Sequence, residues 1–177
     1  MAKFKGKELW NELEGVKEEI AETVEVGLGD VKGEVTVVYR DFDEVQEVFS
    51  EYEEKLPKKP NITIRTNNGK ENIRVPTEDK DKKGFNNHPK AKPKIKEWKK
   101  ECKPVEKERT FRIAYLYMKE DERPHDDPEK GTKILMDRLS YIDAVEIANT
   151  GTSLNNLGDR MGKQEESSLI QEINQEK

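Results

Sequence analysis

The chain has 177 residues, of which 32% are hydrophobic and 40% charged, against roughly 45–50% and about 25% in ordinary globular domains. It can build one ordinary domain or two very small ones around a small core. No run approaches the ~20 apolar residues that a membrane-spanning helix needs. The net charge of −5 conceals an acid–base–acid order: residues 1–56 hold 7 basic and 16 acidic side chains, residues 57–109 hold 17 and 8, and residues 110–177 hold 9 and 14. Blocks of this kind favour electrostatic contact within the chain or with a partner over uniform solvation.

The start, MAKFKGKELW, is basic but has no apolar stretch behind it, which argues against a secretory leader. Residues 7–26 place Leu9, Leu13, Val16, Ile20 and Val24 at helical spacing on an otherwise acidic segment, which predicts an amphipathic helix with Gly15 as its weak point. GLGD (27–30) ends it; a lone G-x-G with no strand before it is not a dinucleotide loop. Residues 34–40, EVTVVYR, are β-branched and follow Gly33, so a strand is expected. Asp41 and Glu44 then resemble a capping box opening a helix that carries Phe42, Val45, Val48, Phe49, Tyr52 and Leu56 and stops at Pro57.

Residues 62–66 and 71–75 read as two strands joined through Asn67-Asn68-Gly69-Lys70, the Asn-Gly step being a strong hairpin signal. The Asn61-Ile62-Thr63 triplet fits a glycosylation acceptor, which has no role without secretion. After Pro76 the apolar content nearly vanishes, and residues 77–94 are expected to be a flexible Lys-rich linker or surface insertion. Ile95, Trp98, Cys102 and Val105 then recur at helical spacing among lysines, predicting a helix with a basic face that Pro104 kinks or ends. FRIAYLYM (111–118) is the most apolar run; periodicity over eight residues leaves helix or strand open, with the charged flanks favouring helix. Residues 128–139 form a further helix with Ile134, Leu135 and Leu139 inward. Ser140 and Asp143 resemble a second capping box before a short helix that Gly151 closes. The polar tail from 159 onward is expected to be disordered.

The fold class is thus α+β: a few short strands (about 34–40, 62–66, 71–75) and a helical C-terminal half. The expected organisation is an acidic α/β region at 1–76, the linker at 77–94, a helical region at 95–158 and the tail at 159–177.

Chemistry is sparse. In RPHDDPEKG (123–131) a histidine adjoins two aspartates, a pattern that suggests metal or acid–base work. Adjacent side chains seldom converge on one ion, however, and the rest of the chain offers only His88. Asp126 or Asp127 as N-cap with Pro128 at the first helical position accounts for the same letters. Cys102 would be activated by Lys100 and Lys103 if exposed, but it lies on the apolar stripe of its helix. It is the only cysteine, so no internal disulfide forms, which suits a reducing compartment. G-x-S-x-G, Walker A, C-x-x-C and H-E-x-x-H are all missing from the sequence, so neither an enzyme nor a cofactor is expected. Segment 80–107 can meet phosphate, with Phe85 and Trp98 for stacking. All its positive charge is lysine, whereas shaped recognition favours arginine, so nucleic acid is the lesser expectation. A helix-turn-helix at 128–149 is disfavoured because its second helix carries Asp143 and Glu146 and no cation.

Residues 109–158 carry a further pattern. A basic helix with a tryptophan precedes RIAYLYMKEDERP; an acidic helix start, an I-L-x-x-R-L helix (134–139), a D-x-x-E-I-x-N helix (143–149) and an L-x-x-L-G motif (154–158) follow. This order resembles the tail assembly chaperones of long-tailed bacteriophages. The acidic N-terminal helix, strand and D-F-D-E-type helix are similar in outline, while the hairpin and lysine segment at 62–94 depart from the pattern. The resemblance implies a non-enzymatic protein in the host-cell cytoplasm. It would bind the tape-measure protein, keep its helices from aggregating and help recruit tail-tube subunits. Leu9, Leu13, Ile20, Trp98, Lys99, Lys100, Leu135 and Leu139 are the candidate partner-binding residues. The alternatives are a small nucleic-acid-associated protein using 80–107, or a phage- or plasmid-encoded inhibitor of a host protein. No membrane partner is expected.

Overall fold

A computed structural model describes residues 20–28, 31–66 and 69–156. Among them are two antiparallel two-stranded sheets and four helices, an α+β architecture. The elements are β1 (Ala21–Leu28), β2 (Val31–Val38), α1 (Phe42–Lys55), β3 (Asn61–Thr66), β4 (Gly69–Arg74), α2 (Ala91–Tyr117), α3 (Pro128–Arg138) and α4 (141–156). The chain divides into two compact units, one of residues 1–49 with 108–177 and one of residues 50–107. The division falls within α1 and within α2, at 49/50 and 107/108, not at 76 or 94; the expected boundary at 158 and the tail at 159–177 lie outside the described residues.

In the first unit, β1 and β2 pair from Ala21↔Val38 to Leu28↔Val31. One face of the ribbon carries Val24, Val26, Val35 and Val37, and Val24 and Val37 are buried. Where helix is expected up to residue 26, Ala21–Leu28 is a strand. The reason lies in Thr23-Val24-Glu25-Val26, whose alternation fits a pleat and gains eight paired positions opposite β2. Residues 1–19, including Leu9 and Leu13, lie outside the described residues. Glu25 faces Glu34 across the ribbon, and Lys32 offsets that like-charge pair with a 2.7 Å ion pair to Glu25.

β2 is held from its open edge. Val37 bridges to Met118, Lys119 N donates to Thr36 O at 2.9 Å, and Glu122 accepts from Thr36 N and Oγ1 at 2.6 and 2.7 Å. α1 begins after Asp41 as expected and buries Val45 and Val48, while Phe42 at its start stays exposed. The Arg109 guanidinium lies 5.1 Å from the Phe49 ring centre.

α2 runs 27 residues without a break at Pro104, so 111–117 is helix. Pro104 is exposed, and the carbonyl that its missing N–H leaves open can be met by water. At the C-terminal end of α2 the carbonyls are met by two arginines. Arg40 donates through Nε to Leu116 O (2.9 Å) and through Nη2 to Met118 O (3.2 Å). Arg123 donates through Nη2 to Leu116 O (2.8 Å) and through Nε to Met118 O (3.2 Å). Glu120 pairs with Arg40 at 3.4 Å and with Arg123 at 3.9 Å. Burial, and then the neighbouring Arg40 charge, lower the Arg123 pKa. Arg40 N also donates to Asn155 Oδ1 of α4 at 3.1 Å.

Two tyrosines of α2 shape the contacts with α3 and α4. Both are buried, and each has its ring against a glycine: Tyr115 against Gly131 of α3 and Tyr117 against Gly151 of α4. Gly151, expected to close a short helix, lies inside α4, which continues to residue 156. The space its missing Cβ leaves is filled by the Tyr117 ring. Leu135, Ala144, Ile147 and Leu154 complete this core with Phe111, Ile113 and Ala114.

In the second unit the β3–β4 hairpin pairs from Asn61↔Arg74 to Thr66↔Gly69, and Gly69 has φ +118°, a backbone that only glycine adopts readily. Ile62, Ile64, Ile73 and Val75 form a cluster with Ala91, against which Phe85 and Ile95 pack. Residues 77–94 are thus not a free linker. Thr77 N donates to Asn86 Oδ1 and Asn86 Nδ2 donates to Thr77 O, both at 2.9 Å. A 3-10 turn at Lys83–Asn87 sets Phe85 onto the cluster, and α2 starts three residues after His88.

Two predictions test this account. Arg40→Ala is expected to lower unfolding stability by about 2–3 kcal/mol in urea titration, the scale of hydrogen bonds from a charged donor. Arg40→Lys should recover less than half of that, because an ammonium cannot fork onto two carbonyls. Gly131→Ala should destabilise by about 1–3 kcal/mol through collision with the Tyr115 ring, although alanine at an open helix position would stabilise by ~0.5–1 kcal/mol.

Candidate functional site

The histidine–aspartate stretch is built as the entry to α3. Asp127 is the N-cap, its Oδ1 accepting from Lys130 N at 2.9 Å, with Pro128 at the first position. That backbone hydrogen bond lowers the Asp127 pKa, against an opposing effect of burial and with a smaller contribution from the Lys130 charge. His125 Nδ1 accepts from Asp127 N at 2.9 Å. The Tyr115 hydroxyl donates to the carbonyls of His125 and Asp126 at 2.8 and 3.1 Å. The carbonyls of this loop are thereby tied to α2, and its aspartate is turned onto the helix. Among the described residues no group of three or more His, Cys, Asp and Glu side chains is placed to hold a metal ion. Cys102 is 1% exposed, and burial, then Glu106 and Glu101, raise its pKa, the opposite of an activated thiol.

The first unit presents an apolar surface where the hairpin end approaches the start of α4. Ser140 Oγ caps that helix by accepting from Asp143 N at 3.1 Å. The Asp143 carboxylate is then free to accept from Gly27 N at 3.3 Å. Gly27 pairs with Lys32, next to Val31, so this bond joins the strand pair that carries Val31 to the helix that carries Tyr141 and Ile142. All three are open to solvent, Val31 and Ile142 at 75% and Tyr141 at 47%. The Tyr141 ring is 6.2 Å from that of buried Phe111 at an interplanar angle of 53°, a tilted contact that fixes its orientation. Sequence periodicity puts Ile142 on the inward stripe with Val145 and Ile147 or Ala148, but in the structure Ala144 and Ile147 are buried and Ile142 is not. Only the approach of the hairpin reveals the set.

The second unit presents a different surface. Trp98 is half-buried, with Nε1 donating to Pro57 O at 2.8 Å, while Lys94 Nζ donates to Asn61 O at 2.9 Å. Trp98, Lys94, Glu97 and Glu101 of α2 with Lys58 and Pro60 line a depression of about 240 Å³, smaller than the roughly 300–1,000 Å³ typical of small-molecule sites. Lys99 and Lys100 are exposed on the same helix.

The remaining candidate partner-binding residues are dispersed. Leu135 is 7% exposed and belongs to the core rather than a docking face. Leu139 is half-buried at the end of α3. Ile20 is half-buried, and its carbonyl accepts from Tyr39 N at 3.0 Å. No helix among the described residues is long and apolar enough to cross a membrane. Compared with protein-family models, curated proteins and solved structures, the chain matches none.

The Asp127 cap has a pH signature. A carboxylate whose pKa is lowered on folding stabilises above its unfolded value of ~3.9, and that contribution is lost as pH falls through the lowered folded value. The melting temperature of Asp127→Ala should therefore lie below that of the wild type at pH 7, and the gap should close as pH is taken well below ~4.

Proposed function

We propose that this chain is a non-enzymatic assembly adaptor of the tail-chaperone kind, which covers apolar surface on a long helical protein of the tape-measure type. The observation that carries the reading is that exposed Val31, Tyr141 and Ile142 stand on two elements joined by the Gly27–Asp143 hydrogen bond. Isolated exposed apolar residues are ordinary. Two exposed aliphatic side chains and an aromatic one on linked elements, a capped helix start and a paired ribbon, offer instead the kind of anchor group typical of the centre of a protein interface. The acidic surroundings add selectivity. Glu22, Glu25 and Glu34 on the ribbon are exposed and would favour a partner helix with basic flanks. The order of motifs across 109–158 supports the same reading by its likeness to phage tail chaperones.

Covering Val31 and Ile142 would contribute about 2 kcal/mol each. Val31→Asp/Ile142→Asp should therefore weaken capture by more than about 100-fold and leave the urea unfolding midpoint near that of the wild type, since both sites are exposed. Co-expression with a tape-measure protein, followed by measurement of the fraction kept out of the aggregate, tests this. A wild-type chain that keeps none of it in solution, or a double variant that keeps as much as wild type, would overturn the reading.

A further inference from the structure

We infer that the second unit carries a linear cationic strip on α2 that binds the phosphate backbone of duplex DNA without regard to sequence. The strip rests on the unbroken helical course of α2 from Ala91 past Lys103. At 100° per residue, Lys92, Lys96, Lys99, Lys100 and Lys103 fall within a sector of about 100°, and all five are exposed. The apolar face of Ala91, Ile95, Trp98, Cys102 and Val105 is centred about 120° to one side. Glu97 and Glu101 lie on the other side, around the Trp98 depression. The helix thus has three separate faces, and no carboxylate interrupts the lysine face between 92 and 103.

The strip opposes folding rather than serving it. Its members stand in i,i+3 and i,i+4 relation, as in Lys92/Lys96, Lys96/Lys100 and Lys99/Lys103, and like charges at that spacing destabilise a helix. Elsewhere in this unit lysines find partners: Lys82 pairs with Glu71 at 2.9 Å and Lys55 with Glu51 at 2.6 Å. The five strip lysines have no ion pair among the described residues. An external polyanion would relieve that repulsion.

The chemistry favours a phosphate backbone over a shaped acidic protein surface. The face holds ammonium groups only, with no arginine to fork onto a carboxylate and no aromatic side chain, as Trp98 points to another face. From Lys92 to Lys103 the axial rise is ~16 Å, equal to about five base-pair steps of the duplex axis at ~3.4 Å per phosphate of one strand. Point charges set against phosphates give affinity without base readout.

Fluorescence anisotropy of the full chain with a labelled 30-base-pair duplex of arbitrary sequence, between ~20 and ~200 mM KCl, tests the inference. Binding should fall with a log–log salt slope of about −4.5, from five neutralised phosphates. Lys96→Gln/Lys99→Gln/Lys103→Gln, which keeps helix propensity, should reduce the slope to about −2. Lys59→Gln/Lys70→Gln/Lys80→Gln, with the same change in net charge outside the strip, should leave it near the wild-type value. Absence of binding at ~20 mM KCl would overturn the inference, as would an equal loss in both triple variants. Displacement of the duplex by poly-glutamate at equal charge would overturn it too, assigning the strip to acidic protein surfaces. Because the strip and the Val31–Ile142 set share no residue, either can fail without the other.

Discussion

The first unit depends on how the C-terminal end of α2 is satisfied. A 27-residue helix ends with open carbonyls and the negative end of its dipole, here beside the buried residues Ala114, Tyr115, Tyr117 and Met118. Arg40 and Arg123 each fork onto the same two carbonyls, of Leu116 and Met118. This arrangement brings two like charges together, and it stands because Glu120 pairs with both and the helix end attracts both. It also fixes topology. Arg40 follows β2, Arg123 precedes α3, and the Arg40 backbone reaches Asn155 of α4, so one helix end ties the ribbon and the two later helices. A lysine could meet the charge but not the geometry.

The tyrosines beside that end do the complementary packing. Tyr115 and Tyr117 press their rings onto helix glycines, and glycine inside a helix costs roughly 0.5–1 kcal/mol against alanine. The close approach recovers that cost in buried aromatic surface, and Tyr115 uses its hydroxyl on the loop before α3. The position of α4 follows, and with it the exposure of Tyr141 and Ile142. The candidate interface is thus placed by packing at the opposite end of the helix that carries it.

Local chemistry was readable wherever one short stretch decides the outcome. Asn67-Asn68-Gly69 announces the β3–β4 hairpin, Asp127-Pro128 the start of α3, and Ser140 with Asp143 the start of α4. Reading failed where distant groups decide. Residues 21–26 continue the helical spacing of Leu9, Leu13 and Ile20, and only pairing with β2 makes them strand. Gly151 resembles a stop until the Tyr117 ring is known to occupy its side. Residues 77–94 look unanchored because Phe85 and the Thr77–Asn86 pair are few among many charges. The arginine cap joins residues 76 and 78 positions apart, beyond any periodicity. The exposed apolar set was hidden for the same reason: Ile142 has the right spacing for a core, and only the hairpin shows which side it faces.

The ring-on-glycine contacts bear on how kinship to this chain would be recognised. Charged surface positions can drift freely, and a chain with 40% charged residues has a great many of them, so overall identity fades quickly. A glycine under a tyrosine ring cannot drift alone, because any larger side chain needs a smaller partner opposite. Tyr-x-Tyr at 115–117, with a glycine 16 residues after the first tyrosine and another 34 after the second, is therefore a steric signature. It would persist in relatives after the surrounding sequence has lost all resemblance.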